Sequence, residues 1–363
     1  MREMEAEIDA DIRSGVDTRA AQSLTFDDVF RKFVSIRKDL RSTTLSQYQE
    51  LYERHVKQEI GHRLISAITG SDLLSMFESY IYNKGMSIAS AKNLRNVVSQ
   101  TFDLAVDDRV ILENPCSWAF RRLSKTVKDT SKKRDGLTEE EQGIFLKEAY
   151  ADEKHLPLAL MITVLLGTGM RIGECLGLQW GDVDFRNSVI HIRHNVVYRN
   201  FDGDGYAFRM NEPKTATGTR DVPMMAEVEH ALLRFRQLQM SQELPEFHID
   251  GYDDFVFRIF GGRLPSSDLV NIHIRQIVNR YNKRELAVAS EEKREPILLP
   301  NISCHILRHT FATRMCELGA NPKFVQAILG HASFDLTMDV YTTATQKLQL
   351  QEIDKLDGKI RLA

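Results

Sequence analysis

Apolar residues recur at helical spacing through most of the chain, broken by one long stretch that alternates instead. Phe26, Val29, Phe30 and Phe33 form a first amphipathic stripe. A second helix is expected to begin near Thr43 and Thr44, Leu73, Leu74 and Phe77 mark a third, and Leu94, Val97, Val98, Phe102 and Ala105 mark a fourth. Asn114-Pro115 is expected to close this set, because the residue before proline is pushed out of helical conformation. Thr138-Glu139-Glu140-Glu141 has the form of a capping box, and residues 156–166 read as an apolar helix. Residues 188–223 then turn extended: Val189, Ile190, Ile192, Val196 and Val197 are expected to face Tyr206, Phe208 and Met210 across Asp202-Gly203-Asp204-Gly205, a hairpin signal. Phe255-Val256-Phe257 predicts a further strand and residues 266–281 a helix. The segment after Arg284, rich in Glu, Lys and Pro, reads as a loop. In the helix that follows, Leu307, Phe311, Met315 and Leu318 form the buried stripe, which leaves His305 and Arg308 on an adjacent face, free to point at a ligand. That helix stops at Gly319. The next has Asn321 as N-cap, Pro322 at its first position, Phe324, Val325, Ile328 and Leu329 as its apolar side, and Gly330 as its stop. The fold class is therefore mainly α with a small antiparallel β-sheet, an α+β chain without internal repeats.

A length of 363 residues allows two or three domains with substantial cores. Residues 1–23 are acidic and too poor in apolar positions for a core. Residues 24–120 read as a small helical domain, 121–136 as a basic linker, 137–345 as a larger domain and 346–363 as a tail. Cys116, Cys175, Cys304 and Cys316 lack metal-ligand spacing, which argues against structural zinc and fits a reducing cytoplasm. No apolar run approaches the roughly 20 residues that span a membrane, and the first residues have the wrong composition for a signal peptide. A soluble, cytoplasmic protein with no membrane partner is expected.

The net charge of −3 is not the footprint of a nucleic-acid binder, yet its distribution is uneven. Arg121, Arg122, Lys125, Lys128, Lys132, Lys133 and Arg134 face only Asp129 within the linker. Such a run is a solvated connector, and it can also follow a phosphate backbone by releasing counterions. Basic and hydroxyl residues gather again at Arg37, Lys38, Arg41, Ser42, Thr43 and Thr44, and at Lys92 and Arg95.

The chemistry lies toward the C-terminus. His305-Ile306-Leu307-Arg308 is followed by Leu329-Gly330-His331 and, ten residues after His331, by Tyr341. Upstream stand Gly167-Thr168-Gly169-Met170-Arg171-Ile172-Gly173-Glu174 and Pro213-Lys214-Thr215, the latter in a turn-rich stretch. Taken singly these are weak signals. His-x-x-Arg is common on helix surfaces, His331 suits a helix C-cap, Glu174 is an ordinary partner for Arg171, and tyrosines mostly pack. A phenol also has a pKa of about 10, so as a nucleophile it needs neighbours that manage charge and protons.

In full order, Arg, Lys, His-x-x-Arg, His and Tyr, the set resembles the active-site signature of the tyrosine recombinases, the phage-type integrases. The resemblance covers roughly residues 24–345 and is nearest to integrases of conjugative transposons, judging by Asp250-Gly251-Tyr252-Asp253-Asp254-Phe255 and the acidic segment before the first helix. It implies a helical core-binding, SAM-like domain and a catalytic domain forming a C-shaped clamp around DNA. Arg37, Lys38, Arg41, Thr43, Thr44, Lys92, Arg95 and the linker cations are then the DNA-facing residues, in a bacterial, DNA-associated protein. Tyr341 is implied as nucleophile, Arg171 and Arg308 as phosphate-binding forks, and Lys214 as general acid. His305 is implied in proton transfer or phosphate contact, His331 in holding phosphate or tyrosine, and Glu174 in support. No metal, ATP or other cofactor is implied. The implied assembly is a homotetramer on double-stranded attachment-site or transposon-end DNA, monomeric or weakly dimeric when free, with an excision factor as a candidate partner.

The 188–213 hairpin looks longer than a minimal recombinase needs, and either a tolerated insertion or a role in gripping DNA accounts for it. The apolar stripe Leu348, Ile353, Leu356 and Ile360 reads as a tail helix that docks on a neighbouring protomer or on its own domain. Such integrases generally carry a further N-terminal arm-binding domain, and residues 1–23 read as a remnant that would follow it, either in a short member or in a piece of a longer chain. Rival readings are a type IB topoisomerase, a DNA-binding regulator with a decayed site, and a metal-dependent nuclease. The complete set of six positions disfavours the regulator, and the lack of a carboxylate cluster disfavours the nuclease.

Overall fold

The computed structural model describes residues 15, 17–40, 42–126, 136–201, 205–212, 218–259, 261–331, 333, 334, 337, 338 and 342. The chain divides into two units, Met1–Lys132 with Asn200–Gly205, and Lys133–Arg199 with Tyr206–Ala363.

The first unit contains helices α1 (Thr18–Ser23), α2 (Phe26–Ile36), α3 (Ser42–Leu51), α4 (Gly70–Glu78), α5 (Ile88–Asp107) and α6 (Pro115–Thr126). Thr25 and Asp28 start α2 with a capping box, in which each side chain accepts the other's backbone N–H, at 3.2 and 3.0 Å. The stripe read from the sequence is buried, and Phe30 stacks on Tyr52 with ring centroids 3.8 Å apart. Helix α3 runs directly into a wider-wound π segment, Tyr52–Gly61.

Pro115 does not close this unit. It opens α6 instead, where its missing N–H is not needed, and Asn114 Oδ1 accepts the Cys116 N–H at 2.8 Å. The basic stretch therefore begins as helix, with Leu123 in the core between Arg121, Arg122 and the charges beyond. Lys128, Lys132 and Lys133 lie outside the described residues, as do Arg41 and the 346–363 tail.

The second unit contains α7 (Glu139–Tyr150), α8 (Leu156–Thr168), α9 (Ile172–Leu176), β1 (Val183–Asp184), β2 (Val189–Ile192), β3 (Asn195–Asn200), β4 (Tyr206–Asn211), β5 (Arg220–Pro223), α10 (Ala226–Met240), α11 (Ser267–Glu292), α12 (Cys304–Glu317) and α13 (Pro322–Leu329). Thr138 and Glu141 cap α7 as read. Helix α8 is apolar on all sides because it is the centre of the unit, packed on α10 and α12. Gly167 permits the first contact: a Cβ there would lie 2.3 Å from Val228 Cγ2.

Four sequence expectations need correction here. The single long hairpin is two sheets: β3 pairs with β4, while β2 lies between β1 and β5, with Ile190 opposite Val222 and Ile192 opposite Arg220. Phe255, Val256 and Phe257 are buried as expected of a strand but form a turn, tied by one bridge between Gln179 and Phe255 and by the Val256 N–H to Leu178 O at 2.8 Å. Helix α11 continues past Arg284 to Glu292, since Glu, Lys and Ala favour helix there and the first proline is Pro296. Leu318 and Phe324 are exposed and not part of the buried stripes.

The chain enters this unit pressed against α12. The Leu137 N–H donates to Thr310 Oγ1 at 2.9 Å, Arg314 Nη2 donates to Leu137 O at 2.5 Å, and a Cβ on Gly136 would sit 2.7 Å from Thr310 Cα.

Gly169 ends α8 in the left-handed region, φ 63°, and a Cβ there would lie 2.3 Å from Phe311 Cδ1 and 2.9 Å from Leu329 Cδ2. Gly169→Ala should cost about 1–2 kcal/mol in backbone conformation and about 1–3 kcal/mol in overpacking. The expected outcome is a lower urea midpoint at unchanged slope; an unaltered midpoint would show that α8, α12 and α13 tolerate a looser junction.

Candidate active site

Helix α13 is eight residues long and ends at Gly330, φ 62°, so its last carbonyls have no partner within the helix. Three consecutive ones are taken by arginines from three different elements. Arg220 Nε, at the start of β5, donates to Ile328 O; Arg308 Nη2, on α12, donates to Leu329 O at 2.7 Å; Arg171 Nη2, at the N-cap of α9, donates to Gly330 O at 3.2 Å. Cations are favoured at a helix C-terminus. His331 is the next residue, so this turn sets its place as well.

Glu174 lies beneath this group, 5% exposed. Its Oε1 accepts from Arg171 Nη1 at 2.8 Å and Arg220 Nη1 at 3.1 Å; its Oε2 accepts from the Arg171 backbone N–H and from Arg220 Nη2, both at 2.8 Å. Burial pushes its carboxyl up, but the Arg220 fork and charge, with Arg171 behind them, outweigh it and hold the pKa below the ordinary range.

Arg308 is buried, contrary to the expectation of a side chain standing free on a helix face. Its Nη1 donates to Gly169 O at 2.8 Å, so two donors are committed to the scaffold, and a guanidinium has five. Burial and the nearby Arg171 charge pull it down to about 9, still protonated at neutral pH. His331 Nδ1 lies 2.9 Å from Thr337 Oγ1, and burial followed by the Arg308 and Arg171 charges pushes its pKa down to about 4. His305 is lowered by the same causes, and its Nε2 lies 2.9 Å from Nε2 of His309, so the two rings share one hydrogen. Both histidines of the motif are thus neutral at neutral pH.

The structure brings together Arg171, Glu174, His305, Arg308 and His331. Lys214 and Tyr341 lie outside the described residues. Sequence reasoning missed Arg220, His309 and Thr337. Arg220 carried a signal: Val222 points into the core, and alternation puts Arg220 on the same inner face, where a charge requires a partner. Among the described residues no group of three His, Cys, Asp or Glu side chains is gathered as for a metal ion, and no helix is long and apolar enough to cross a membrane. All four cysteines are buried thiols.

In the first unit, Arg37 is not simply a surface cation. It holds Asp39 through Nε and Nη2 at 2.8 and 2.9 Å and Gln100 through Nη1 at 3.1 Å. Arg95 lies over the Phe120 ring and Arg122 over Trp118. Lys38 and Lys92 are exposed, while Thr43 and Thr44 are half-buried. The Lys125 side chain is not described.

The sequence profile of the phage integrase family matches residues 136–347, and that of the phage integrase central domain matches residues 26–119. The chain belongs to the phage integrase family. This integrase is 30% identical over 357 residues to the transposase of transposon Tn916 from Enterococcus faecalis, covering 98% of this chain and 83% of that one. It is 24% identical over 342 residues to the ICEBs1 integrase of Bacillus subtilis, covering 93% and 84%. Among solved structures, the Tn1549 transposon integrase in complex with a circular intermediate DNA has a TM-score of 0.75 and 28% identity, over 91% of this chain and 100% of that one. A lambda integrase dimer bound to a core site shares the fold, with a TM-score of 0.59 and 18% identity, over 88% of this chain and 95% of that one. The integrase is a tyrosine site-specific recombinase.

The pKa directions fix the acid sensitivity of this region. Glu174 has a folded pKa below its usual 4.5, so its contribution to stability is present above 4.5 and is lost as pH falls through the folded value. His331 falls from 6.5 to about 4, so between those values the unfolded chain takes up a proton that the folded site refuses, and stability drops. Urea midpoints from pH 7 to 4 should therefore decline less steeply for His331→Asn than for the parent; parallel declines would mean that His331 titrates normally. Glu174→Ala leaves Arg220 buried without a counter-charge and should cost about 3–5 kcal/mol in the same unfolding measurement at pH 7.

Proposed function

We propose that the integrase excises and integrates a transposon-type mobile element, with Tyr341 as nucleophile. The observation that supports this reading is the convergence of Arg171, Arg308, His305 and His331 at the end of α13, ten residues before Tyr341. The Tyr341 oxygen attacks a scissile phosphate, a 3′-phosphotyrosyl bond forms, and the 5′ oxygen leaves and takes a proton from Lys214. The freed 5′ hydroxyl of a partner strand reverses the step, so the phosphodiester energy is kept in the covalent link.

Arg171 and Arg308 face the non-bridging oxygens with the donors that the α13 carbonyls leave over, and planar forks suit that task better than lysine. The neutral His305 is able to accept the phenol proton or to donate to phosphate, and the neutral His331 to hydrogen-bond the phosphate through the ring edge that Thr337 does not occupy. Lys38, Arg41, Thr43, Thr44, Lys92, Arg95, Arg121, Arg122 and the linker lysines track the duplex, with Arg37 shaping the surface through Asp39. Exchange of four strands requires four protomers around two duplexes.

Incubation of a nicked attachment-site duplex with the integrase in EDTA tests the chemistry. A covalent adduct is expected, and joining to a second duplex separates recombination from simple religation. Tyr341→Phe should retain half-site binding and form no adduct; an adduct with the Phe variant would reassign the nucleophile. Lys214→Ala should cleave about 10²–10⁴-fold more slowly and recover when sulfur replaces the bridging 5′ oxygen, because a thiolate leaves without a proton. Equal impairment on both substrates would make Lys214 a phosphate contact and not an acid.

A further inference from the structure

Every nitrogen of the Arg220 guanidinium is already engaged inside the protein. Nε holds Ile328 O, Nη1 holds Glu174 Oε1 and Gly218 O, Nη2 holds Glu174 Oε2, and the side chain is 6% exposed, as is that of Glu174. Arg171 also contacts Glu174, yet its side chain is 45% exposed and its guanidinium is therefore open to a ligand. One buried carboxylate thus stands between two guanidiniums, one enclosed and one open. If Arg220 were absent, Arg171 would be the nearest counter-ion of Glu174, and the pair would present no net charge to an anion.

We propose that Arg220 is a positioning residue, the dedicated counter-ion of Glu174, which leaves the charge of Arg171 uncompensated for the scissile phosphate. This rests on the reading that Arg171 binds that phosphate. Glu174 fixes where Arg171 sits, through its backbone N–H and Nη1, and Arg220 cancels the electrostatic cost of having a carboxylate there. The register supports this role: Arg220 and Val222 occupy the inner face of β5 opposite Ile192 and Ile190, so the strand delivers the guanidinium beneath the site without exposing it. The positive potential it adds reaches the neighbouring groups, since Arg220 is among the charges that lower Arg308 and His331.

The test is single-turnover cleavage of a half-site duplex by full-length protein, with a normal scissile phosphate and with a methylphosphonate, which carries no charge there. Arg220→Met should cut the normal substrate about 10- to 100-fold more slowly, below the loss for removing a direct transition-state donor, with half-site affinity unchanged. That loss should shrink to within a few-fold on the neutral methylphosphonate. Equal loss on both substrates, or no loss, overturns the proposal in favour of a purely architectural arginine. Should Arg220→Met fail to fold, Arg220→Lys, which keeps the counter-charge and gives up the planar hold on Ile328 O, decides: near-parental cleavage of the normal substrate supports the proposal, and an equal loss on both substrates overturns it. Arg171→Ala distinguishes the two levels. Undiminished cleavage by that variant removes the phosphate reading itself, whereas a slow Arg171→Ala beside a fully active Arg220→Met overturns only this inference.

Discussion

The terminal turn of α13 is the constraint on which the site depends. A helix end leaves carbonyls that must find donors, and here the donors are the guanidiniums of β5, α12 and the α8–α9 joint. Because one short helix end holds all three, elements far apart in sequence acquire a common origin, and the side chain that follows the turn, His331, is fixed to the same origin. Arginine is required at these points because a planar fork can hold a carbonyl on one edge and keep donors on the other. A lysine would satisfy the carbonyl and have no second edge to offer.

The electrostatics follow from that packing. The chain as a whole is slightly acidic, at −3, yet among the described residues Arg171 and Arg220 both bond Glu174 and Arg308 lies within reach of its charge. The nearby imidazoles, lowered first by burial and then by the Arg308 and Arg171 charges, are held without their extra protons. Phosphoryl transfer through a tyrosine asks for this division: permanent positive charge from groups that do not titrate near neutrality, and neutral rings able to take or give a hydrogen bond.

Much of this was legible in the sequence, for identifiable reasons. The caps at Thr138 and Asn321 and the stops at Gly319 and Gly330 are local chemistry, and local chemistry decides helix ends. The motif residues were found because their order is distinctive. Errors arose where tertiary context overrides local pattern. Val189 to Ile192 alternates equally well whether its neighbour is β3 or β5, and sheet order is a long-range property. Phe255 to Phe257 is buried enough for a strand but has no continuous partner. Arg308 was placed on an open face because helical periodicity assigns direction and says nothing of the carbonyls waiting at Gly169 and Leu329. Arg220 was missed because it lies outside the motif, although strand alternation alone marks it as an inward charge.

The entry of the chain into the second unit has a mechanical meaning. Leu137 is held by Thr310 and Arg314, and Gly136 is pressed on the Thr310 backbone. Thr310 and Arg314 belong to the helix that carries His305 and Arg308, two and six residues beyond Arg308 respectively. Close-packed interiors yield little and pass strain on to their neighbours. The first described residues of the second unit are thus seated on the helix that bears His305 and Arg308, and a side chain larger than hydrogen at position 136 would press on that helix's backbone and not on a surface loop.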